Sequence, residues 1–286
     1  MKKSLLVTLA LSLVLVAAGC SKTTENTTEE VATEVEDATE AVEEDAAEAE
    51  DTAEVDAAEA ETEADTENAA AEGVMSYADY VAADVDTEVC VETYVQAKQA
   101  WWEDNGVGQA TFYTQNQDGA FFVYNLPCSQ EDYDKLVPGT KIKVTGFKSE
   151  WSGEVEITDA TYEIEDTDTF VADAKDVTDL LGKDELIDYQ NQFVSFKGMT
   201  VEAANDAGDA FLYKWDGSGT EGDDLYFNVS LDGNTYTFTV ESYLCDKDSD
   251  VYKAVQNLKV GDVVDMEGFL YWYEGVNPHI TSVSVQ

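Results

Sequence analysis

The chain has 286 residues and a formal net charge of −47, and every basic side chain other than its one His is a lysine. Displacing counterions from phosphate needs a track of Lys or Arg, so the sequence predicts no nucleic-acid binding and repulsion from anionic head groups, and it favours neutral ligands, cations or basic partners. A single histidine, His279, excludes multi-His zinc sites and leaves little for Ser-His or Cys-His catalysis. The carboxylates are too numerous to single out a glycosidase pair. The chain is therefore read as non-enzymatic.

The first residues read MKKSLLVTLALSLVLVAAGC: two lysines, an apolar run from Ser4 to Val16, then small residues leading to Cys20. This is the layout of a secretory signal, too short for a comfortable transmembrane helix. The Gly19-Cys20 ending resembles the lipobox of bacterial lipoproteins, although Ala17 stands where that family usually has Leu. The resemblance implies a signal peptide over 1–19 and lipidation of Cys20 as the mature N-terminus. The expected location is then the cell membrane or cell surface, lipid-anchored and extracytoplasmic, with the membrane as a partner through Cys20.

Residues 20–73 are an acidic low-complexity stretch of Glu, Ala, Thr and Asp with hardly any large apolar side chain. Such a segment buries too little surface to offset its ordering entropy. Glu36, Glu40, Glu44 and Glu48 are spaced by four, so they repel along any helix, by roughly 0.2–0.5 kcal/mol per pair. A disordered acidic tether is predicted, spanning roughly 40 Å r.m.s..

From Val74 onward aromatics, Val and Gly appear, and a repeat emerges. Gly139, Gly146 and Gly153 are spaced by seven, as are Gly261, Gly268 and Gly275. Phe147 and Phe269 follow the middle glycines, and Trp151 and Tyr273 sit at matching offsets. Upstream, Asp118-Gly119 and Asp232-Gly233 each separate runs that alternate like strands, a hairpin signal. Helical stretches follow from Ser129 and Asp248, and others precede each repeat at SYADYVAADV and DVTDLLGKDELIDYQ. Ser76 with Asp79, and Ser129 with Asp132, are capping-box patterns. The order strand, strand, turn, strand, helix, strand, strand resembles the OB-fold, a five-stranded Greek-key barrel. The predicted fold class is thus all-β with short helices: two tandem five-stranded OB-fold-like barrels, at 74–166 and 167–286, each with an N-terminal helix.

In ligand-binding OB-folds the loop after the first strand, the loop between strands 4 and 5, and the face of strands 2 and 3 carry the site. That places Trp101, Trp102, Tyr113, Trp151, Trp215, Tyr226 and Trp272 as candidate ligand-binding residues, with the ligand face of the first barrel built from Trp101, Trp102 and Trp151. Aromatic faces stack on sugars or bases, but the same rings serve equally to pack a core or join two modules. Asp246, Asp248 and Asp250 form a D-x-D-x-D run. The Gly and Glu that an EF-hand needs at positions six and twelve are Val251 and Asn257, so no cofactor is expected beyond weak calcium binding. His279, beside Pro278, is expected in a surface turn. Cys90, Cys128 and Cys245 contain no CxxC, and Cys90 with Cys128 stands as either a pair or two buried thiols. The expected function is a lipid-anchored extracytoplasmic protein whose tandem modules bind a neutral or cationic ligand, an oligosaccharide or an envelope protein. The alternatives are a structural or assembly module of the cell envelope and, further off, an extracytoplasmic hydrolase or a nucleic-acid binder.

Overall fold

The computed structural model describes residues 73–286; Cys20, the signal segment and the acidic stretch up to residue 72 lie outside the described residues. Helix α1 (Tyr77–Ala82) leads into strands β1 (Glu88–Lys98), β2 (Trp102–Asp104), β3 (Val107–Gln115) and β4 (Ala120–Pro127). Helix α2 (Gln130–Lys135) then precedes β5 (Thr140–Trp151) and β6 (Glu154–Thr169). Strands β7 (Lys175–Asp176), β8 (Phe193–Glu202), β9 (Leu212–Tyr213), β10 (Leu225–Leu231) and β11 (Asn234–Val240) follow. Helix α3 (Asp250–Gln256), β12 (Val263–Phe269) and β13 (His279–Val285) complete the chain.

In the first sheet β1, β5, β6, β4 and β3 run in that order, and β1 pairs with β3 to close a five-stranded barrel. In the second, β8, β12, β13, β11 and β10 do the same, closed by β8 with β10. In each barrel the third and fifth strands pair in parallel, β4 with β6 and β11 with β13, while the other barrel pairings are antiparallel. That pairing is the OB-fold topology, present twice.

Alternation makes the barrels. Val89, Val91, Thr93 and Val95 of β1 point inward, as do Leu225, Phe227 and Val229 of β10. Each barrel encloses its own core, around Phe112, Leu126 and Ile142 in the first and Phe196, Phe227 and Phe238 in the second. Helix α3 seals the second core with Val251, Tyr252 and Val255. The repeated Gly146 and Gly268 both sit at irregularities in the strand pairing. A Cβ on Gly146 would lie 2.7 Å from Thr158 O, and one on Gly268 2.3 Å from His279 O. The crossing strands leave no room for a side chain there, which explains the glycine frame of the repeat.

Both Asp-Gly hairpins form, and two other local expectations are revised. Asp232-Gly233 makes a two-residue turn, with φ of 51° and 82°, as a type I′ hairpin needs. Asp118-Gly119 joins β3 to β4 within the longer loop 116–119, where Asn116 Oδ1 accepts from the backbone of Asp118 and Gly119. Gly119 is covered by Tyr77, whose ring would meet a Cβ at 2.2 Å. The stretch from Asp176 forms only two 3-10 turns, Thr178–Leu180 and Asp184–Tyr189, because Val177, Leu181 and Leu186 are drawn separately into the second core. His279 is buried, not in a surface turn: it opens β13, and its Nδ1 meets Tyr113 Oη of the first barrel at 2.6 Å.

That bond belongs to a contact that welds the barrels together. Tyr113 stacks on Phe269 at 4.4 Å, with Phe193 of the second barrel backing Phe269 at 5.2 Å, and Phe122 meets Tyr271 at 5.5 Å. Gln115 Oε1 accepts from Phe193 N, and Asn191 Nδ2 donates to Val155 O. Glu154 is fully buried, its Oε2 accepting from Trp272 N and Gln190 Nε2. Burial pushes its carboxyl up to about 8, and its Oε1 has no partner among the described residues. Burial likewise pushes His279 down to about 3, so its imidazole is neutral. Cys90, Cys128 and Cys245 are free thiols.

The matched positions Phe147 and Phe269 now differ, 43% exposed against 3%. Phe269→Ala is expected to cost about 3–5 kcal/mol in urea unfolding, and Phe147→Ala to stay within about 0.5 kcal/mol. Equal effects would contradict the inter-barrel contact.

Glu154 also makes stability depend on pH. Its folded carboxyl keeps a proton that the unfolded chain loses near 4.5, so stability falls as pH rises from about 4.5 to about 8. His279 acts oppositely, losing stability as pH drops from 6.5 toward 3. Between pH 6.5 and 8 only the carboxyl contributes of these two. The melting temperature should fall across that window, and less steeply in Glu154→Gln; parallel curves for parent and variant would refute this.

Candidate ligand cleft between the barrels

The welded barrels leave a cleft of about 1390 Å³ on one side of their contact. It is built from the loop after the first strand and the loop between the fourth and fifth strands of both barrels. In the first barrel these are the segment from Gln99 through β2 and the β5–β6 hairpin end; in the second, the segment from Trp215 to Asp224 and the loop from Tyr271 to Asn277. Bridges across the contact hold the loops in place. Ala100 N donates to Tyr243 O at 2.8 Å, Glu274 N to Ser152 O at 2.7 Å, and Gln99 Nε2 to Glu241 Oε2 at 3.1 Å.

Four of the five tryptophans line this cleft: Trp101, Trp102, Trp151 and Trp215. Trp151 is 58% exposed and Trp215 76%. Trp151 meets Tyr273 edge-on at 5.6 Å across the barrel boundary. Trp102 stands on the short β2, also exposed. Trp101 has a double role: its Nε1 donates to Cys128 O at 3.0 Å, and its ring lies over Gly108, where a Cβ would come within 2.2 Å. It packs on the first core while bordering the cleft. Tyr226 borders the cleft from β10.

Two of the aromatic candidates do not reach it. Tyr113 is fully buried at the barrel contact, because its ring is the stacking partner of Phe269 and its hydroxyl is bound to His279. Trp272 turns to the second core and lies over Gly153. The acidic run fails as a metal site. Asp246 Oδ1 accepts from Asp248 N, Asp248 pairs with Lys247 at 3.0 Å, and Asp250 opens α3. Among the described residues no three His, Cys, Asp or Glu side chains converge to hold an ion. Both barrels supply walls of the cleft, not the first alone.

Sequence reasoning missed Tyr124, Tyr243, Tyr271 and Tyr273, and the carboxylates Glu156, Asp224, Glu241 and Glu274. In the YWYEG loop, Tyr271 and Tyr273 line the cleft while Trp272 packs on the second core. Nothing local marked the carboxylates among so many acids.

Among the described residues the cleft lining holds no lysine. Asp224 Oδ1 accepts from Ser242 N and Oγ. Burial, with the Asp224 charge adding, pushes Glu241 up to about 7. Burial alone pushes Glu156 up to about 6. Tyr271 stacks on His279 at 4.3 Å at the cleft's inner end. Burial pushes the Tyr113 phenol well up, so it stays neutral beside His279 Nδ1, with which it shares a hydrogen bond. The arrangement offers stacking faces and carboxylates.

No protein-family model and no curated protein matches the chain. Several solved structures are similar to it. A tetrameric p202 HIN2 domain is 12% identical over 71% of this chain and 96% of its own, with a TM-score of 0.30. A murine DNA-binding protein bound to double-stranded DNA is 10% identical over 69% and 94%, at 0.33. A replication protein A heterotrimer bound to single-stranded DNA is 12% identical over 68% and 49%, at 0.29. At such scores the likeness bears on neither ligand nor partner, and the closed strand pairing of the two barrels carries the OB-fold assignment by itself.

Proposed function

We propose that this chain is a non-catalytic binding protein, lipid-anchored outside the cell through Cys20, that takes a neutral or cationic ligand in the inter-barrel cleft. An oligosaccharide or an extended segment of an envelope protein fits that description. The observation that carries the reading is the convergence of four tryptophans from both barrels on one open cleft. Exposed rings of this size are unfavourable in water unless something covers them. A purely structural module would leave Trp151 and Trp215 without a reason to be exposed. The cleft volume exceeds the usual range for a drug-sized ligand, which suits an extended chain. Nucleic acid is disfavoured because the region from Val74 holds about 12 Lys against about 41 Asp and Glu, and the cleft lining adds carboxylates only.

Trp151→Ala and Trp215→Ala are each expected to weaken retention in a glycan-array and envelope-extract screen by roughly tenfold, with melting temperatures unchanged. Trp101→Ala should lower both, because that ring also packs on the first core. Single-stranded DNA in the same screen should not be retained. Binding unaffected by Trp151→Ala and Trp215→Ala, or tight salt-sensitive DNA binding, would overturn the reading.

The anchor has a separate test. Cys20→Ala should release the protein from the membrane fraction or block its processing. A variant that still fractionates with membranes at the parent's mature mass would remove lipidation from the proposal.

A further inference from the structure

Glu156 carries an unanswered charge. It is 6% exposed, borders the cleft from β6, and its carboxylate has no hydrogen-bond or ion-pair partner among the described residues. Glu241, also in the lining, is met only by neutral donors, the backbone amides of Tyr243 and Leu244 and the side-chain amide of Gln99. None of the eight ion pairs of the described residues involves either group. A buried carboxylate without a cation is costly, and burial has accordingly raised both groups, to about 6 and about 7. Glu156, Glu241 and Tyr271 line the same cleft.

We propose that the cleft is specific for a ligand bearing a protonated amine on an extended carbon frame, its charge answered by Glu156 and Glu241 and its frame laid along the tryptophans. This rests on the binding-cleft reading above. Aromatic faces attract such cations as well as stack on them, so walls and floor favour the same chemistry. An inorganic ion is a poor match, since no three ligating side chains converge among the described residues. An anionic ligand would meet carboxylates and no lysine. Two ligand types share the required chemistry, an oligomer of an amino sugar and a linear polyamine.

The test is calorimetric titration of the full-length protein with three probes: the trimer of glucosamine, its uncharged N-acetylated counterpart, and spermidine. At least one amine probe should bind tenfold or more tightly than the N-acetylated trimer. Glu156→Gln and Glu241→Gln should each weaken that binding by tenfold or more while the melting temperature holds or rises. Preference for the glucosamine trimer would identify the amino sugar as the source, and preference for spermidine the polyamine. Spermidine also associates loosely with any acidic surface, but removing one of 62 acidic residues leaves such association unchanged. Amine binding that ignores both substitutions therefore overturns the proposal, as does absence of amine binding. Equal binding of the N-acetylated trimer overturns it too, while leaving the cleft standing as a site for neutral ligands.

Discussion

The stack of Tyr113 on Phe269, with the hydroxyl of Tyr113 bound to His279, determines what the two barrels become together. Each barrel has a core of its own and needs no neighbour to close it. The contact adds a third, smaller cluster that belongs to neither, where Tyr113 and Phe122 of one barrel meet Phe269 of the other. Because the rings are large and fully desolvated, their geometry has little freedom. The loops flanking the contact are then held at a set separation by backbone bonds such as Ala100 to Tyr243 and Glu274 to Ser152. The cleft is the space those constraints leave.

The same burial explains the unusual titration at the contact. Glu154, Glu156, Glu241 and His279 all lie where water has been displaced, and in each case the neutral form is favoured. Glu154 is enclosed and bonded to the backbone of Trp272, so its neutral form is part of the joint. Glu156 and Glu241 face the cleft, where an incoming group can supply the missing partner. One physical effect, desolvation, thus raises both the carboxyl enclosed in the joint and the two that line the cleft.

The repeat of Gly146 and Gly268 was legible because it arises from a local necessity: strands crossing at a tight barrel corner leave no volume for a Cβ. Alternation in β1 and β10 was legible for a similar reason, since each strand must face one core. The strand order, the capping serines and the Asp232-Gly233 turn follow from rules that act within a few residues. The Asp118-Gly119 hairpin was legible too, but not its longer loop or the Tyr77 ring that covers Gly119 from more than thirty positions away. Tyr113 and Trp272 were aromatic residues near the ligand loops, but packing decided which faces were covered: the second barrel covers Tyr113, and Trp272 turns into the core of its own barrel.

The sequence by itself determined that the described part of the chain forms two barrels of one topology, that the chain is strongly acidic, and that large aromatic rings cluster near the loops of both. These follow from composition and short-range periodicity, which act through the backbone of each segment independently. Only the tertiary structure decided that His279 is buried, that Tyr113 is a joint and not a platform, and that Glu156 stands unpaired at a cleft shared by both barrels. Burial and pairing across two closed barrels depend on residues from 36 to 166 positions apart. Nothing in the local pattern of either segment encodes which ring or carboxylate the other will cover.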